Sequence, residues 1–185
     1  MPLKQINTGY LKPFSKIFSA ILLSTILLFS VSYRGMASDD ENIFYLNNNS
    51  YFIDEGEIFY YGNYYSQSAI NVDLLLFNED FTNIVYFELF VPNGSDSLVT
   101  GTYNLSLSKI DDHLPFSYAS GAMYIEEEDR FLDVIDGVLT AFVTGSGDDE
   151  VYFIIIDCIF IDEDTGEEFP VRGTFHGSIT WFNET

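Results

Sequence analysis

The chain is short of positive charge: seven Lys and Arg stand against 29 Asp and Glu. Four of the seven (Lys4, Lys12, Lys16 and Arg34) precede Ala37, where no acid occurs. Past Ala37, only Lys109, Arg130 and Arg172 face all 29 acids, which leaves a formal −26. Such a surface repels phosphate backbones and anionic lipid head groups, and this sets nucleic-acid binding aside. A cation, a basic partner or plain solubility outside the cell stays open.

Cysteine is just as scarce. Cys158 stands alone, so no intramolecular disulfide can form. A domain of about 150 residues buries enough surface to fold without one. Cys158 alternates with Tyr152, Ile154, Ile156 and Phe160, the place of a small core residue. No basic residue lies near it in sequence to make a reactive thiolate. The two histidines, His113 and His176, have no catalytic spacing, and no glycine-flanked serine elbow occurs. His113 reads as a loop residue and His176 as an exposed strand residue. No enzymatic activity and no cofactor are expected. No stretch keeps a 3.6-residue period over ten positions, which argues against a helical fold.

What the chain does have begins at its N-terminus. A basic start leads into an apolar run at residues 17–31, and Gly35-Met36-Ala37 supplies small residues beyond it. That order describes a cleaved secretory signal over residues 1–37, too short for a spanning helix. The mature chain would be residues 38–185, a single domain, secreted or periplasmic and open to display on the outer surface.

Residues 171–182 alternate almost without fault. Val171, Gly173, Phe175, Gly177, Ile179 and Trp181 fall on one side; Arg172, Thr174, His176, Ser178 and Thr180 fall on the other. Period two means a strand with one buried and one wetted face. Further strands are expected at residues 51–53, 58–62, 70–77, 84–91, 99–107, 117–127, 134–144 and 151–161. Gly-, Asn- and Asp-rich turns separate them. The expectation is an all-β fold: a single antiparallel up-and-down β-barrel, with a sandwich as second choice. Inward glycines at Gly101, Gly121, Gly137, Gly173 and Gly177 would let barrel strands bend, or make room for aromatic rings. Residues 151–161 are apolar on both faces, so residues 43–46 or a partner should cover the second one.

Several markers share one order: Phe87-Glu88-Leu89-Phe90, Leu98-Val99-Thr100-Gly101-Thr102-Tyr103, Gly137-Val138-Leu139, Val151-Tyr152-Phe153-Ile154 and Arg172-Gly173-Thr174-Phe175-His176-Gly177-Ser178-Ile179. This order resembles uncharacterised lipocalin-like (calycin-like) secreted proteins of host-associated Gram-negative bacteria. The resemblance implies an exported antiparallel barrel, often lipid-anchored, with no established activity. Ala37 stands where a lipidated cysteine would be, so a lipid anchor is not expected here. Asp96-Ser97-Leu98 resembles an O-glycosylation acceptor of such bacteria.

The expected function is binding of a small apolar molecule inside the barrel. The alternative is a cell-surface module that binds glycan or protein through aromatic loops, around a packed interior. Tyr60, Tyr64, Tyr65, Tyr103 and Trp181 are the candidate ligand residues, because rings with polar edges stack on sugars, peptides and apolar ligands. Asp162, Asp164 and Glu167 could offer oxygens to calcium. A solvated hairpin turn explains the same loop and is favoured. Asp136 and Asp157 interrupt apolar strands and are expected to point outward into solvent.

Overall fold

The computed structural model describes residues 42–65, 67–106 and 113–185. The expected signal, residues 1–37, lies outside them, as do Lys109 and Leu107. The described chain is all-β, with two single 3-10 turns at Glu126–Glu128 and Gly147–Asp149. Eleven strands form: β1 (Ile43–Leu46), β2 (Asn49–Phe52), β3 (Glu55–Gly62), β4 (Ala69–Phe77), β5 (Asn83–Pro92) and β6 (Gly101–Ser106). The series continues with β7 (Ser117–Ile125), β8 (Arg130–Thr144), β9 (Val151–Asp162), β10 (Glu167–Gly177) and β11 (Thr180–Asn183).

All eleven join one sheet in the order β11-β3-β4-β5-β7-β6-β8-β9-β10-β1-β2. The sheet is strongly curled, a half-barrel in outline, rather than two stacked layers. It is mixed where uniform antiparallel pairing was expected. β11 runs parallel to β3, and β6 touches β7 in parallel at Asn104 and Ser117. The up-and-down order also breaks at β6. The long strand β8 pairs its first residues with β7 and its later ones with β6, so β6 is inserted between two strands that would otherwise be neighbours.

Short links produce much of the curl. β2 lies at one edge, yet only Ile53 and Asp54 separate it from β3, next to the other edge. Ser178 and Ile179 alone separate β10 from β11. Three Cα–Cα steps span at most about 11 Å, so each link draws opposite sides of the sheet together. The expected single strand at residues 171–182 is thus two strands. Its alternation survives the break because a two-residue link preserves the phase.

Inward side chains build one core. Ile70, Val72, Leu74 and Leu76 of β4 meet Val85, Phe87, Leu89 and Val91 of β5, as the alternation required. Tyr152, Ile154, Ile156, Cys158 and Phe160 of β9 join Phe169, Val171 and Phe175 of β10. Register sets Gly173 beside Phe44 of β1, and an added Cβ there would lie 2.6 Å from that of Phe44. Residues 43–46 do not fold over the outer face of β9, as expected, but become β1 and extend the sheet beside β10. Their four-residue length fits a short filler strand, turned back into β2 by Asn47 and Asn48, both at positive φ. Asn is one of the few residues that tolerate this geometry, which two-residue hairpin turns demand.

Candidate functional site

The structure separates the five expected ligand residues. Tyr103 is fully buried and donates its hydroxyl to the Val99 carbonyl at 2.9 Å. Tyr60 and Trp181 pack against the core with ring centroids 5.3 Å apart. Tyr64 and Tyr65 lie outside, 76% and 53% exposed, on the loop after β3. One group of residues therefore belongs to the interior and the other to the outer surface.

The interior is closely filled. Tyr103, Tyr152, Phe44, Phe87, Phe160, Phe169 and Phe175 are the largest of its side chains that are almost wholly out of water. At one end Leu98, 1% exposed, turns inward from the segment between β5 and β6. Next to it the Ser97 hydroxyl meets the Tyr152 hydroxyl at 2.8 Å and donates to Glu150 at 3.0 Å. Ser97 is half-buried, so the glycan-acceptor resemblance falls on a hydroxyl already engaged. An open cleft of about 550 Å³ lies elsewhere, between residues 48–51 and the carboxylates Glu127 and Glu128. Its walls are polar, and Glu128 bonds Tyr51 and pairs with Arg130 at 3.2 Å.

The best-organised polar constellation sits on the outer face of β3, β4, β5 and β7. Strand register sets Asp73 opposite Glu88, and Glu88 opposite Ser120. Both Glu88 oxygens are held, by the Asn71 amide at 3.1 Å and the Ser120 hydroxyl at 3.1 Å. Asn71 is itself 3% exposed. Burial, with the Glu88 charge adding to it, raises the Asp73 carboxyl to about 6. Hydrogen bonds from the Tyr86 and Tyr61 hydroxyls pull the other way. One oxygen of Asp73, Oδ1, is out of water and accepts no hydrogen bond. Tyr86 is pushed up by burial and then by both carboxylates, and Tyr61 by burial and then by Asp73. The charge of Glu88, before burial, raises Tyr65.

Aromatic rings roof this patch. Tyr64 and Tyr65 meet edge to face at 4.7 Å, and the Tyr65 ring also approaches His113 at 5.4 Å. His113 stacks on Phe90 at 4.4 Å, which explains how an outward-facing phenylalanine becomes fully buried. His113 is indeed in a loop, but its ring helps support the tyrosine pair. Neither Arg130 nor Arg172, the two basic residues described, belongs to this face. Sequence reasoning found Tyr64 and Tyr65 and missed Asp73, Glu88 and Tyr86. The available signal was Asp73 itself, the one acid of a strand in which Asn71 is the only other polar residue.

The acidic loop is a hairpin turn between β9 and β10. Asp162 spends Oδ1 on the backbone N–H groups of Asp164 and Thr165, at 3.0 and 3.1 Å, while Asp164 and Glu167 point to solvent. Among the described residues, no group of three His, Cys, Asp or Glu is placed to hold a metal ion. Asp157 is exposed and pairs with Arg172 at 3.1 Å. Asp136 is exposed and caps the Gly137 N–H at 2.8 Å. Comparison with family models, curated proteins and solved structures finds no match to this chain.

Proposed function

We propose that this chain is an exported interaction module, a lipocalin-like barrel whose packed interior is scaffold and whose working surface is the tyrosine-roofed face of β3, β4 and β5. The observation that carries the reading is the Tyr64–Tyr65 pair, exposed yet held in a defined edge-to-face geometry beside Asp73 and Glu88. Exposed tyrosines offer large contact area at low entropic cost, and binding hot spots are rich in them. Two adjacent carboxylates favour a partner that brings a basic side chain to the rings. A protein segment carrying lysine or arginine fits this better than a neutral sugar. The reading assigns no catalytic step and no cofactor. Export rests on the N-terminal sequence alone.

Calorimetry with a lysine- and arginine-rich peptide tests the proposal. Heat should appear for the wild type, weaken as salt screens the carboxylates, and vanish in Tyr65→Ala. Hits on a glycan array that depend on Tyr64 and Tyr65 would move the reading to sugars at the same surface. An apolar molecule co-purifying in native mass spectra, with no peptide binding, would return it to the barrel interior.

A further inference from the structure

The opposite side of the sheet has a contrasting surface. Outward positions on β6, β8, β9, β10, β1 and β2 form three cross-strand rows. One runs Phe142–Phe153–His176; the next includes Thr140, Ile155 and Thr174; the third includes Val138, Asp157, Arg172 and Tyr45. Phe142, Tyr45 and Phe52 are among the exposed large apolar residues, and Phe153 and Ile155 are partly exposed. In a chain with 29 acids, these rows hold one carboxylate, Asp157, and it is paired with Arg172. On this face Ile43, which register sets beside Thr174, is buried. Asp136, Asp133 and Glu168 begin only beyond the lower end of the face.

We infer that this face is where a second copy of the chain docks, about a two-fold axis passing near the Asp157–Arg172 pair. Charge favours a second copy at this face. Two copies of so acidic a chain repel each other on most approaches, and here they meet neutral apolar surface instead. A two-fold contact is self-complementary: whatever residue i meets on residue j, j also meets on i. An exposed Arg172 beside an exposed Asp157 satisfies that condition, because each arginine then faces the aspartate of the second copy. Arg130, the other basic residue described, is already engaged with Glu128 and the Phe169 ring. Area sets the strength. Two rows cross six strands, about 29 Å, and the first crosses three, which gives on the order of 500 Å² per copy, the range of weak, transient contacts. The outer face of a curled sheet is also convex. The dimer is therefore weak, concentration-dependent and tightened by salt, which screens repulsion between the rest of the two surfaces.

Sedimentation velocity on the exported protein, from about 1 μM to about 1 mM, reads this directly. The expected result is a monomer at the dilute end and a rising dimer fraction at the concentrated end, larger in high salt than in low. Ile155→Glu should hold the protein monomeric throughout, with an unchanged melting curve showing that it still folds. Arg172→Asp, a surface change that spares the core, should do the same. The double exchange Asp157→Arg with Arg172→Asp should restore the dimer, because self-complementarity is kept. A wild type that stays monomeric at about 1 mM in high salt overturns the inference. So does a dimer indifferent to both Ile155→Glu and Arg172→Asp.

Discussion

Asp73 on β4 stands directly across from Glu88 on β5, two carboxylates side by side on one outward face. The arrangement has an energetic sign. The Asp73 carboxyl binds its proton up to about pH 6 in the folded chain, against a usual 3.8. The folded state thus holds more protons than the unfolded one between about pH 4 and 6. Stability contributed by this group is full below about 4, falls through that window, and is flat above it. Asp73→Asn removes the penalty. At pH 8 the variant should be more stable by about 1 kcal/mol, a figure already discounted for solvent screening, or about 2–4 °C in Tm. At pH 4 and below the difference should close. Equal melting curves at pH 8 would count against the assignment.

How far the sequence could be read depended on the range of the interaction. Alternation is local, so Ile70, Val72, Leu74 and Leu76 were legible as one buried face. β1 was not, because four residues carry too little period to separate a strand from an apolar loop. The break at Ser178 and Ile179 stayed hidden because it keeps the phase. The insertion of β6 between β7 and β8 depends on pairings more than 30 residues apart, such as Tyr103 with Leu139. The site divides in the same way. Tyr64-Tyr65 shows as an aromatic loop in the sequence, whereas Asp73 and Glu88 become neighbours only through strand register.

Gly137 tests the backbone of β8. It sits beside the irregularity between Val134 and Asp136, at φ +119°. An added Cβ would lie 2.4 Å from the Asp157 carbonyl oxygen and 2.4 Å from the Cys158 Cα. Both obstacles are backbone and cannot rotate away. Gly137→Ala should cost about 2–4 kcal/mol, read as a lower urea midpoint at unchanged slope.

Cys158 should be chemically silent. Burial pushes its thiol up to about 12, and Sγ lies 3.5 Å from the Val138 carbonyl oxygen. Only the thiolate attacks disulfide reagents. An aromatic disulfide reagent at pH 8 should therefore leave the native chain unmodified and titrate one thiol after unfolding. Rapid modification of the native chain would place Cys158 outside the core.

Tyr152 holds the segment that ends in Leu98. Its hydroxyl bonds Ser97 and Glu150, both half-buried, while Leu98 beside Ser97 is almost wholly out of water. Burial pushes the phenol up to about 12, so the tether keeps its proton across the physiological range. Tyr152→Phe keeps the ring in the core and deletes only the hydroxyl. Water can reach the Ser97 and Glu150 oxygens it leaves behind, so the global cost should be modest, about 0.5–1.5 kcal/mol. Local opening is more sensitive, because this segment is a connection with few bonds of its own. Amide exchange at residues 96–99 should therefore accelerate about tenfold while exchange in β9 and β10 changes far less. Equal acceleration in all of these elements would mean that the hydroxyl supports the whole core rather than this one segment.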